Sequence, residues 1–127
     1  MVHLGDFDAH ASPLTHRLVP DELWEPARSL IPQPRTRPQG GGRARVGDRA
    51  VFVAVVYVLT SGCAWRRLPD SFGIAVPTAY RRFVEWTSVN LWENLLRAVT
   101  DTGSDPALVD WAKAINQAAT TRAAAGA

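Results

Sequence analysis

An uninterrupted apolar run, residues 50–59, constrains the fold more than any other feature of the sequence. The run is too short to span a bilayer, which takes roughly 20 residues as a helix, so it must be buried inside a protein core. Its β-branched residues favour a strand, whereas Asp48 before it and Gly62 after it are typical boundaries of a helix. The residues alone therefore favour a buried helix and leave a strand open.

The composition around this run is that of one small globular domain. The chain has 127 residues, of which 46% are apolar and 20% charged, and this balance excludes wholesale disorder. Its single cysteine, Cys63, cannot form an internal disulfide, which excludes the disulfide-stapled class of secreted proteins. The first residues lack the pattern of a signal peptide. We therefore expect a cytoplasmic, single-domain protein that is not embedded in a membrane.

The net charge of +2 conceals an uneven distribution of arginine. From Arg28 to Arg82 there are ten arginines and two acids, a net charge of +8, while the rest of the chain carries −6. A GC-rich genome would explain the preference for arginine over lysine, but it does not explain the clustering. Because guanidinium groups match phosphate oxygens and guanine edges, the cluster predicts a polyanionic partner, most often nucleic acid.

The order of segments predicts a helical domain with irregular ends. Residues 1–17 are aperiodic and are predicted to be a disordered leader, whose three histidines fit no metal motif. Residues 18–101 form the predicted helical domain, within which residues 32–47 are a flexible arm rich in Arg, Gly and Pro. The arm carries Arg43 and Arg45, which suit either a minor groove or a merely solvated linker. Residues 102–127 are predicted to be a low-complexity tail with little to bury.

One helix, near Pro77 to Thr87, shows the clearest amphipathic pattern. Its predicted core face consists of Val76, Tyr80, Phe83, Val84 and Thr87. Its predicted polar face consists of Thr78, Arg81, Arg82 and Glu85. These polar groups suit base edges or phosphates, although a solvated surface helix would show the same pattern. Before this helix, residues 65–68 and 70–73 are predicted to form short turns.

The sequence lacks the motifs of common catalytic sites. Gly40–Gly42 is not followed by the Lys-Ser/Thr pair of a phosphate-binding loop. Asp101, Asp105 and Asp110 are close in sequence but lie in the predicted tail, which offers no scaffold on which they could converge on metal ions. We therefore expect no catalytic residues, no metal, no cofactor and no small-molecule substrate in this chain.

Several motifs together resemble one known family over about residues 18–100. The most specific is Gly62-Cys63-Ala64-Trp65-Arg66 with Leu68-Pro69, followed by Thr78-Ala79-Tyr80-Arg81-Arg82-Phe83 and then Trp86 and Leu91-Trp92. Leu18-Val19-Pro20-Asp21-Glu22-Leu23-Trp24 precedes them. This series resembles the N-terminal domain of bacterial transposases of the insertion sequence 5 type.

The resemblance implies an all-α, helix-turn-helix-like domain that binds double-stranded DNA at the terminal inverted repeats of a transposon. It favours a helix over residues 50–60. It also implies that the helix carrying Arg81 and Arg82 enters a groove of the DNA, while Arg66 and Arg67 contact phosphates. The candidate DNA-binding residues are accordingly Arg43, Arg45, Arg49, Arg66, Arg67, Thr78, Arg81 and Arg82.

In relatives, a ribonuclease H-like domain follows, in which three acids hold Mg²⁺ for strand cleavage and transfer. Val109-Asp110 is similar to the start of that domain, but its spacing differs and the histidines usual there are missing, so Asp110 is not assigned a catalytic role. We expect the catalytic domain to be absent from this chain, which then corresponds to a first reading frame or a truncated gene. Residues 102–127 are accordingly expected to be a remnant of the junction to that domain. The expected location is the bacterial cytoplasm, at the nucleoid.

Three alternatives stay open at this point. The chain could be a non-catalytic regulator that occupies element ends, or a decayed transposase fragment. It could also be a small helical interaction module whose five tryptophans (24, 65, 86, 92 and 111) are partly exposed as contact sites. Self-association is compatible with each of these readings.

Overall fold

The structure, a computed structural model, describes residues 13–33 and 47–126. These residues contain six α-helices and two short 3-10 turns. The helices are α1 (Pro13–Leu18), α2 (Asp21–Leu30), α3 (Asp48–Ser61), α4 (Val76–Ser88), α5 (Leu91–Asp101) and α6 (Pro106–Ala124). The two 3-10 turns are Trp65–Arg67 and Asp70–Phe72. There is no strand within these residues, so the prediction of an all-α domain and the two predicted turns are confirmed.

The apolar run forms α3, the central helix, as its boundary residues indicated. Its residues are buried from Val51 to Leu59 with the exception of Tyr57, which is half-buried. The helix ends at Gly62, whose φ of 76° is left-handed and whose N–H donates to the carbonyl of Val58 at 3.1 Å. A residue without a side chain fits this position because the left-handed region costs other residues free energy.

Replacing Gly62 with alanine is expected to lower the free energy of unfolding by about 1 kcal/mol. No atom lies within 4 Å of the added methyl group, so the cost comes from the backbone conformation alone. Gly47, at the other end of α3, has a φ of −54° and equally open surroundings, and its alanine variant is expected to stay within about 0.5 kcal/mol of the parent. Urea unfolding of both variants checks this; equal losses would contradict the assigned cause.

Aromatic side chains join the other helices to α3. The Phe52 ring lies 5.6 Å from Trp24 of α2, 5.7 Å from Trp86 of α4 and 5.8 Å from Trp92 of α5, measured between ring centroids. These three tryptophans and Trp65 are buried, and Trp111 is half-buried. The idea that the tryptophans form an exposed contact surface is therefore wrong, because they build the core.

The segment predicted to be a tail with little to bury is instead part of the core. Residues 106–124 form α6, which packs against α5, α3 and α2 and buries Ala112, Ile115 and Ala119. The indole nitrogen of Trp111 donates to the carbonyl of Leu18 at 2.8 Å. Alanines at helical spacing allow the backbones to approach closely, so the segment packs without large apolar residues.

The structure describes only part of what was predicted for the leader, the arm and the helix-turn-helix. Residues 13–17 of the predicted disordered leader lie in α1, while residues 1–12 and the arm residues 34–46 lie outside the described residues. Residues 62–75 separate α3 from α4, whereas a helix-turn-helix uses a turn of about three to four residues. The helix-turn-helix part of the predicted fold therefore stays a prediction. None of the described helices combines the length and apolarity that crossing a membrane requires.

Candidate nucleic-acid interface

Helix α4 is rotated relative to the face that its sequence pattern predicted. Its buried side chains are Ala79, Arg82, Phe83 and Trp86. Tyr80 and Val84, predicted to lie in the core, are exposed. The most exposed line of the helix, which we call the α4 ridge, consists of Pro77, Arg81, Val84 and Ser88. The prediction chose the wrong buried face of α4 because it ignored Trp86, whose large side chain packs in the aromatic core.

Arg82 does not lie on a polar face, in contrast to the prediction. Its side chain is 9% exposed, and its guanidinium donates to Oδ1 of Asp48 at 2.7 Å. Asp48 lies in the first turn of α3, so the ion pair connects α3 to α4 inside the domain. The buried guanidinium is occupied by this contact and is not presented at the surface.

Arg81, the neighbour of Arg82, is exposed on the α4 ridge. Thr78, one turn before Arg81, is half-buried at the side of the ridge. The structure thus separates the two adjacent arginines, since one faces solvent and the other faces the protein interior.

The 3-10 turn Trp65–Arg67, here called the arginine turn, places two more guanidinium groups beside α4. The ring of Trp65 meets Tyr80 edge-on at 5.7 Å and Phe83 at 5.3 Å between centroids. Arg66 and Arg67 are exposed. Because Trp65 is anchored on α4, the arginine turn lies next to the middle of that helix.

Arg122 of α6 holds the other side of the arginine turn. Its guanidinium lies 5.6 Å above the Trp65 ring and donates to the carbonyls of Cys63 at 2.8 Å and Val58 at 3.2 Å. Sequence reasoning missed this residue, and the signal that could have found it is a lone arginine near the end of an alanine-rich segment. Arg122 fixes the backbone from which Arg66 and Arg67 project.

Two of the other exposed arginines of the described helices differ from these three. Arg28 pairs with Glu25 at 2.8 Å, and Arg97 pairs with Glu93 at 3.3 Å, each within one turn of its own helix. Among the described residues, by contrast, no acid lies within ion-pair distance of Arg66, Arg67 or Arg81. Three exposed arginines without an ion-paired acid therefore lie at the arginine turn and α4, while Arg17 of α1 and Lys113 of α6 are exposed cations of the same kind elsewhere in the described residues.

Arg49, another predicted DNA contact, is directed towards α2. Its guanidinium donates to Oδ1 of Asp21 at 2.7 Å and to the carbonyl of Val19 at 3.1 Å, and it lies 5.7 Å above the Trp24 ring. These contacts hold the start of α3 against α2. Arg43 and Arg45, the predicted arm contacts, lie outside the described residues.

The contact with Arg49 lowers the pKa of Asp21, first through the hydrogen bond and then through the charge of the guanidinium. A lowered pKa in the folded state means that the pair stabilises the fold above the unfolded pKa, about 3.9, and that this stabilisation is lost as the pH falls through the folded value. Replacing Arg49 with glutamine is expected to raise the pKa of Asp21 towards its ordinary value. Carboxyl carbon NMR titration measures this, and an unchanged Asp21 pKa would contradict the contact.

The acids near the end of the chain do not form a cluster. Asp105 caps α6 by accepting a hydrogen bond from the amide of Ala107 at 3.0 Å, and Asp110 is exposed on the same helix. Across residues 13–33 and 47–126, no three His, Cys, Asp or Glu side chains come together as a metal site would need.

Comparison with known proteins gives a family for this chain. Residues 19–96 match the family described as "Putative transposase of IS4/5 family (DUF4096)". A curated relative, the "Insertion element IS402 uncharacterized 16.2 kDa protein" of Burkholderia cepacia, is 34% identical over 80 residues, which are 61% of this chain. The chain spans about half of that relative, 54% of its length. No solved structure matches significantly. The family match covers more than half of the chain, and the chain therefore belongs to the transposase-related proteins of the IS4/5 family.

Proposed function

We propose that this chain binds double-stranded DNA at the terminal inverted repeats of its insertion element, through α4 and the arginine turn. The observation that carries this proposal is that three exposed arginines without an acid partner, Arg66, Arg67 and Arg81, lie on two elements that pack against each other. Paired arginines are already neutralised locally, whereas these three offer their charge to an external polyanion. Membership in a transposase-related family supports DNA as that polyanion.

The elements suit different parts of a duplex. The α4 ridge belongs to a helix of 13 residues, and the major groove, about 12 Å wide, admits one α-helix. Arg81, which projects from this ridge, would contact a base edge. Arg66 and Arg67 project from a short turn at the side of α4, where they would contact the phosphates that flank the groove. Thr78 would donate its hydroxyl to a phosphate beside them.

The remaining candidate residues are proposed to act in the arm or inside the domain. Arg43 and Arg45 of the arm would enter an adjacent minor groove, as arginine-bearing arms do in other DNA-binding domains. Arg49 and Arg82 would hold the domain together, because their guanidinium groups already bind Asp21 and Asp48. The described part of the chain would thus supply recognition, while the three acids and Mg²⁺ for strand transfer would belong to a catalytic domain outside it.

Binding of the chain to two duplexes tests this function. One duplex carries the terminal inverted repeat of the element that encodes the chain, and the other has the same bases in scrambled order. Fluorescence anisotropy is expected to show tighter binding to the repeat, with affinity that falls steeply as salt rises. Equal, weak binding to both duplexes would contradict recognition of the ends, and no binding to either would contradict DNA as the partner.

A further inference from the structure

Exposed apolar side chains in the described residues are concentrated at α4. Four large hydrophobic side chains are exposed in the described part of the chain, and three of them, Tyr80, Val84 and Val89, lie on α4 or directly after it. The fourth, Leu14, lies on α1. Single exposed hydrophobic residues are common on protein surfaces. Tyr80 and Val84, however, lie one helical turn apart on α4 and are exposed side by side.

Val84 is the most exposed of these side chains, at 46%, and lies on the α4 ridge three residues after Arg81. Residues at this spacing are neighbours on a helix surface, with Cβ atoms about 5–6 Å apart. The ridge therefore presents a guanidinium and a branched apolar side chain next to each other, facing the same way.

The charges around Val84 favour a nucleic acid over a protein as the covering partner. Arg81 lies beside it on the ridge, and Arg66 and Arg67 lie on the turn that Trp65 anchors to α4. In the major groove, the only apolar group on a base edge is the C5-methyl of thymine, while guanine offers two acceptors, O6 and N7, to an arginine. An adjacent arginine and valine match these two features together.

We propose that Arg81 and Val84 give the chain its sequence preference, with Arg81 on O6 and N7 of a guanine and Val84 on the methyl group of a nearby thymine. This inference rests on the proposed DNA binding and adds the bases that are read. Successive bases are about 3.4 Å apart along a strand, so side chains about 5–6 Å apart place the thymine within about two base pairs of the guanine.

The ridge is held firmly enough to read two neighbouring bases. Beneath it, Phe83 is buried against Trp65 at 5.3 Å and Trp92 at 6.2 Å, and Arg82 is bound to Asp48. These contacts fix the rotation of α4 about its own axis. The positions of Arg81 and Val84 relative to a docked duplex are therefore set by the core.

The test begins with a pool of randomised short duplexes, from which the full chain enriches its preferred sequence. In the enriched duplex, each thymine is replaced in turn by deoxyuridine, which removes only the methyl group. Each guanine is replaced in turn by 7-deazaguanosine, which removes the N7 acceptor. Affinities are measured for the parent chain and for Val84→Ala and Arg81→Ala, with circular dichroism to show that both variants are folded.

One thymine is expected to stand out, with its deoxyuridine form weakening binding of the parent chain about three- to fivefold, as expected for one buried methyl group. The same replacement should leave the affinity of Val84→Ala unchanged. A guanine within two base pairs should weaken binding about tenfold when its N7 is removed, and Arg81→Ala should be insensitive to that change.

Other outcomes would overturn the inference in distinguishable ways. If the pool yields no preferred sequence, or if Val84→Ala keeps the full deoxyuridine effect, the chain binds DNA without this readout, and the proposed function stands alone. If no duplex is bound, the proposed function fails as well.

Discussion

Replacing Arg82 with alanine is expected to lower the free energy of unfolding by about 3–5 kcal/mol, because one partner of a buried ion pair is removed. Asp48 would lose a guanidinium at 2.7 Å, and its side chain, 22% exposed, is only partly open to water that could replace it. The variant also loses the packing of a long side chain between α3 and α4. A domain of this size has about 5–15 kcal/mol of stability, so this variant unfolds at markedly lower temperature.

Thermal and urea unfolding followed by circular dichroism measure this loss. Arg81→Ala is the matched control, since it removes the same group one residue earlier from an exposed position, and its stability should stay within about 0.5 kcal/mol of the parent. Asp48→Ala should destabilise the fold as Arg82→Ala does, because it breaks the same pair from the other side. Equal stability of Arg81→Ala and Arg82→Ala would contradict the orientation of α4 described above.

The triple variant Arg66→Ala/Arg67→Ala/Arg81→Ala is expected to bind duplex DNA about two to four orders of magnitude more weakly than the parent chain. Each of the three side chains is exposed, so the fold should be unchanged. In the proposed binding mode, the loss combines two phosphate contacts with one contact to a base edge. Electrophoretic mobility shift or anisotropy titrations on the inverted-repeat duplex measure the difference.

A second triple variant controls for net charge. Arg28→Ala/Arg97→Ala/Lys113→Ala removes the same number of positive charges from exposed positions on α2, α5 and α6. Its affinity for DNA is expected to stay within about threefold of the parent, because long-range charge effects are screened over about 8–10 Å at physiological salt. If both triple variants lose affinity equally, binding depends on total charge and not on the arginine turn and α4.

The main helix of the fold could be predicted from its boundary residues. Gly62 ends α3 because its backbone is left-handed, and Asp48 lies in the first turn of the helix. These residues marked both ends of the apolar run, whose own pattern could not distinguish a helix from a strand. The resemblance in the series Gly62-Cys63-Ala64-Trp65-Arg66 pointed to an all-α domain, which the structure confirms. Such local signals are readable because caps and turns depend on a few adjacent residues.

The phase of α4 and the role of α6 could not be predicted in the same way. Arg82 looks like a surface residue until its partner Asp48, far away in sequence, is placed beside it. Arg122 binds carbonyl groups of Val58 and Cys63, and backbone carbonyls have no signature in the sequence. Both arginines are explained by tertiary contacts, which override the simple rule that charged residues lie outside.

The salt dependence of DNA binding shows whether the arginine turn contacts the DNA backbone. For the parent chain, the logarithm of the association constant falls linearly with the logarithm of salt concentration, with a slope set by the number of phosphates contacted. Arg66→Ala/Arg67→Ala should make this slope shallower by about 1.8, because each lost phosphate contact accounts for about 0.9. Arg28→Ala/Arg97→Ala, which removes equal charge, should keep the parent slope. Identical slopes for both double variants would contradict the claim that the arginine turn contacts the DNA backbone.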